Sequence, residues 1–107
     1  MNATYWQKGD TLDYTPTAEV KNGQVVSLGT RVGVAGTDIP ANQPGHIHVT
    51  GVFEMKKAAG EITQGAAVYY DASADNITTT DSGNVPAGYA AAPAKNEDTT
   101  VLVKLLG

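Results

Sequence analysis

Cysteine is absent from the 107 residues, so neither disulfides nor thiolate metal sites are available to this chain. Basic residues are few. Seven Lys and Arg stand against eleven Asp and Glu, for a net charge of −4, and only Lys56 and Lys57 adjoin. Nucleic-acid binders present a basic stripe that neutralises several phosphates. This chain offers none, so no nucleic-acid partner is expected. No apolar run approaches the ~20 residues of a membrane span, and the N-terminus lacks the basic-then-apolar pattern of a signal peptide. No membrane partner is expected either. Large apolar side chains are scarce as well, with one Trp and one Phe against 15 alanines. Alanine adds little burial energy. A core built this way gains from burying more surface against identical copies, and self-association, with a homotrimer as the expectation, follows.

What is abundant is punctuation. Twelve glycines and five prolines cut the chain into short pieces, and almost no window sustains a helical repeat. Short β-rich runs between turn residues read as a sandwich or barrel. The expected fold is all-β: one domain over residues 1–107, a small β-barrel or compact sandwich of about eight short strands. At most one helical turn is expected, within 58–64, and residues 1–13 form a candidate flexible arm. The clearest strand covers 46–55, where Ile47, Val49, Phe53 and Met55 alternate with polar neighbours, and Gly51 marks a bulge or bend. Further strands are expected at 11–15, 24–27, 30–35, 67–71, 77–80, 87–92 and 100–106, the last covered on both faces. An internal echo aligns Val26, Gly29 and Val32 with Ile62, Gly65 and Val68: aliphatic, two spacers, Gly, two spacers, Val. It reads as a tight turn feeding a strand, used twice, and predicts pseudo-symmetry.

No reactive constellation emerges. His46 and His48 share a strand face and could hold a metal in a small hydrolase, but two ligands do not make a site and no third lies nearby. They read as the polar face of a half-exposed strand. Residues 71–76 resemble the start of a calcium loop, yet Asn76 stands where Gly is needed and Ser82 where a bidentate Glu belongs. A polar hairpin turn is expected instead. Residues 83–88 have the glycine spacing of a phosphate loop without its Lys. Ser27, Ser73 and Ser82 sit in no nucleophile elbow. No catalytic residue, cofactor or metal is therefore assigned. Two features suit partner binding: Tyr5-Trp6, either a lid over one end of the fold or an anchor, and Lys56-Lys57, either a solvated turn or a contact with an acidic surface.

Several stretches occur in a telling order: residues 9–15, 25–35, Gly51-Val52-Phe53-Glu54-Met55-Lys56-Lys57-Ala58, Val68-Tyr69-Tyr70-Asp71, Gly88-Tyr89-Ala90 and 101–105. Together they resemble a family of short phage and prophage proteins often labelled as predicted phage recombinases of the RecA/RadA kind. That label conflicts with the residues. A RecA-type core is an α/β domain about twice this length around a Lys-bearing phosphate loop, and none of that is here. The chain departs from the family pattern at Ala66 and at Pro44-Gly45-His46, both in turns.

The resemblance also implies a structural role. Such proteins look like capsid decoration (cement) proteins, small β-barrels, commonly trimeric, that brace the assembled head. It implies a phage major capsid protein as partner, and a place on the virion surface after a period in the host cytoplasm. The arm around Tyr5 and Trp6 is the expected capsid contact. The rival reading is an accessory protein of phage recombination that binds a recombinase or DNA.

Overall fold

Turn residues divide the chain into nine strands, with no helix among residues 2–106, which the computed structural model describes. Strands β1 (Thr11–Tyr14), β2 (Val25–Ser27), β3 (Val32–Ala35) and β4 (Gly45–His48) form an antiparallel sheet in the order β1-β4-β3-β2. Strands β5 (Val52–Lys56), β6 (Ala67–Asp71), β7 (Asn76–Thr78), β8 (Val85–Ala90) and β9 (Thr100–Leu105) form a second, ordered β5-β9-β8-β6-β7. The all-β expectation holds. The barrel alternative gives way to two open sheets: an isolated bridge between Lys57 and Ile77 brings the outer strands of the second sheet together at one point, and no ladder closes it.

The ninth strand arises because the run at 46–55 is two strands in different sheets. The chain crosses between them at Gly51, whose φ of +107° breaks the extended run. The two-residue phase survives the break. Ile47 and Val49 enter one core cluster and Met55 the other, so alternation was legible while the change of sheet was not. Residues 58–64 hold no helical turn; Ile62 bridges Ala94 there. Strand β9 is covered on one face only, with Val101, Val103 and Leu105 buried and Leu102 exposed.

The larger core lies between the sheets. Val32 and Val34 of β3 join Met55, Val68, Tyr70, Ile77, Val101, Val103 and Leu105 in it. The smaller lies on the other side of the first sheet, where Val20 and Ile39 cover Val26, Ala35, Ile47 and Val49. Small aliphatics fill both.

The pseudo-symmetry is real, in a register other than the expected one. The order β1-β4-β3-β2 recurs as β5-β9-β8-β6, with β7 added at the edge. Leu12 opposite Ile47 matches Phe53 opposite Val103, and Ala35 opposite Ile47 matches Ala90 opposite Val103. Bonds outside the ladders repeat too. Val20 and Ile39 exchange two bonds, as do Ile62 and Ala94. The Gly23 amide donates to the Ala35 carbonyl, as the Gly65 amide does to Ala90. The Val49 amide donates to the Asp10 carbonyl, as the Leu105 amide does to Gly51. The partner of Gly65 is therefore Gly23 and not Gly29; their φ angles are +86° and +84°, a left-handed turn that a side chain would strain. Val20, Gly23 and Val26 carry the same spacing as Val26, Gly29 and Val32. The two candidate registers overlap in the sequence, and only the strand pairing separates them.

Candidate interaction surface

Residues 2–9 carry no regular structure and lead into β1. Tyr5 is 80% and Trp6 88% exposed, so neither closes an end of the fold and the lid reading falls. Among described residues, the arm's one side-chain hydrogen bond runs from Gln7 Nε2 to the Thr11 carbonyl at 3.2 Å. Two large aromatics thus stand in water with no cover.

Lys56 and Lys57 part company. Lys56 ends β5 with its side chain exposed. Lys57 is buried, and its Nζ donates to the carbonyls of Asn96 (3.4 Å) and Asp98 (3.2 Å). The solvated turn expected at this pair is instead a strand end and an internal clamp on the 95–98 turn. A buried ammonium must find such acceptors. Lys57→Met is expected to cost about 2 kcal/mol in urea unfolding, against less than ~0.5 kcal/mol for exposed Lys56→Met. Equal costs would remove the clamp.

His46 and His48 do share a face of β4, their ring centroids 6.2 Å apart and edge-on. His48 also lies 5.8 Å from the Phe53 ring. Among the described residues no three His, Asp or Glu side chains gather as metal ligands. Residues 71–76 form the expected polar hairpin between β6 and β7: Asp71 Oδ1 accepts from the Ser73 and Ala74 amides at 3.0 and 3.3 Å. Asp75 at its end accepts a 2.7 Å bond from the Tyr70 hydroxyl.

Burial, then that bond and the charges of Asp75 and Asp71, push the Tyr70 phenol from 10.0 up to about 12. The folded state favours the protonated phenol. Its contribution to stability is intact below pH 10 and is lost as pH rises through about 12. In an absorbance titration the Tyr70 phenol ionises at about pH 12, and Asp75→Asn brings it earlier. An Asp75→Asn titration that superimposes on that of the wild type would contradict this environment.

Two surfaces escaped the sequence reading. On the outer face of the second sheet Val52, Tyr89 and Leu102 are exposed (52%, 47% and 41%). Val52 and Tyr89 both lie opposite Lys104, and Leu102 opposite Glu54. Apolar residues at the outward phase of β5, β8 and β9 were the available signal. The second surface is the free edge of β2. One groove there, of about 230 Å³, lies between Val25, Glu54, Met55, Tyr70 and the β7 residues Asn76 and Ile77. A neighbouring one of about 270 Å³ runs between Val26, Ser27, Pro16 and Tyr14.

Exposed aromatics, an open sheet face and a free edge are thus the apolar and unpaired features that the described residues turn to solvent. No curated protein and no solved structure matches the chain. The family comparison gives no support to the recombinase label. A model of the phage cement proteins matches residues 6–105, all but the ends of the sequence, and the chain belongs to that family.

Proposed function

We propose that this protein is a non-catalytic cement for a phage head, binding the assembled shell and holding it closed. The observation that carries the reading is the family match over residues 6–105. The exposed aromatics of the arm support it. The mechanism is mass action. A protein that binds the closed shell and not its separated subunits adds its binding free energy to the cost of opening, about 2.7 kcal/mol per site at a hundredfold excess over Kd.

In this reading the major capsid protein is the partner and the outer surface of the virion the final location. The protein accumulates in the host cytoplasm before assembly and associates with itself, as a trimer. Tyr5, Trp6 and Lys56 are its contact residues. Lys57 stands behind them and holds the turn at 95–98.

Heads assembled without the protein provide the test. Purified protein is expected to sediment with mature heads to a saturating number of copies, and not with free capsid subunits. Protein that stays in the supernatant would refute the proposal.

A further inference from the structure

The internal duplication exposes an asymmetry. The edge of β6 facing away from β8 carries β7, with Tyr69, Tyr70 and Asp71 opposite Thr78, Ile77 and Asn76. The counterpart of β6 is β2, and among the described residues nothing pairs with its corresponding edge. The Gln24 carbonyl and the Leu28 amide bond toward β3, so by strand alternation the peptide groups of Val25 and Ser27 face outward. Such an edge is a template for one more strand.

The grooves flanking this edge define what would fit. Val25, Met55, Tyr70 and Ile77 supply apolar walls beside two carboxylates, Glu54 and Asp75, and one ammonium, Lys56. Asn76 lines the same groove. An occupant therefore combines an extended main chain, a large apolar side chain and, against the net negative charge of the groove, a positive charge. This chain carries such a segment: Tyr5-Trp6-Gln7-Lys8, in an arm whose aromatics nothing covers.

We infer that the arm of one copy adds as a strand to the β2 edge of a second copy. A copy's own Gln7 and Lys8 cannot reach. A strand added to β2 would lie four strand spacings from β1, about 19 Å. The three steps from Lys8 to Thr11 span about 10 Å. The contact is heterologous, arm to edge, and closes only as a ring of copies. It deepens the role given above to the arm: loss of the arm releases the protein from heads because the ring falls apart.

The lack of native cysteine makes the test direct. Gln7→Cys in one tagged copy and Ser27→Cys in another are mixed under mild oxidation, with no heads present. The expected product is a covalent heterodimer, at least tenfold more abundant than either homodimer. Ser27→Pro removes one outward amide and leaves the β3 ladder intact. In light scattering that variant and a chain lacking residues 1–9 are each expected to fall from a multiple of the chain's own mass, 11.1 kDa at full length, to a single copy of it, with unchanged circular dichroism. The inference is overturned if the wild type is a single chain, or if both variants keep its mass. It is also overturned if the double variant cross-links within one chain. The inference rests on reading the arm as a contact segment. Sedimentation with heads is scored separately, so failure to bind heads and failure to form the ring are told apart.

Discussion

Gly88→Ala is expected to cost about 3–5 kcal/mol, much of the 5–15 kcal/mol that holds a small domain together. Gly88 lies inside β8 with φ at +147°, and a Cβ there would run into the Lys104 carbonyl oxygen on the adjacent strand β9. Backbone meets backbone, so no side chain can turn aside. The thermal midpoint should drop by roughly 15 °C or more. Gly33 is its counterpart across the duplication, lying against the His48 carbonyl as Gly88 lies against that of Lys104. A Cβ on Gly33 would meet Ile47 Cδ1 at 2.7 Å and the His48 oxygen at 3.1 Å. Its φ is not left-handed and the Ile47 side chain can shift, so Gly33→Ala should cost about 1–2 kcal/mol. Calorimetry on the two variants checks the order. A Gly88→Ala protein as stable as Gly33→Ala would mean that β8 and β9 do not approach as described.

Removal of residues 1–9 is expected to abolish sedimentation with heads while circular dichroism shows the fold of each chain unchanged. Positions 2–8 are all exposed, and β1 begins only at Thr11. Their loss subtracts no core area from the single chain, which keeps its fold. Tyr5→Ala with Trp6→Ala should reproduce most of the loss, because aromatic anchors carry a disproportionate part of binding energy. A shortened chain that still coats heads to wild-type occupancy would move the contact elsewhere, with the outer sheet face at Val52, Tyr89 and Leu102 next in line.

Sequence alone revealed what depends on local alternation and on turn residues. The strands at 11–14, 25–27, 67–71 and 100–105 lie where short β-rich runs between turn residues placed them, though the one-sided burial of the last was not foreseen. The 71–76 hairpin follows from Asp71 bonding its own backbone. What stayed hidden depends on pairing between distant strands. Alternation through 46–55 is unbroken, so nothing in it told that Ile47 and Met55 serve different cores. The duplication was visible as a spacing, but the spacing fits two registers, and the choice of Gly23 over Gly29 is made by the bond from Gly23 to Ala35. For the surface, the exposed arm was legible as a polar segment with aromatics. Lys57 was not legible as a clamp, because the carbonyls that hold it belong to Asn96 and Asp98, about forty residues on. The β2 edge was invisible for the same reason: an edge is defined by the strand that is absent beside it.

The account turns on a protein that makes the closed shell harder to open. The most direct measurement is the temperature at which filled heads release their DNA, compared with the protein absent, present, and added back after purification. Heads carrying it should open at a higher temperature, and adding it back should restore the full difference. Release at one temperature in all three samples, with the protein bound, would contradict a cementing role.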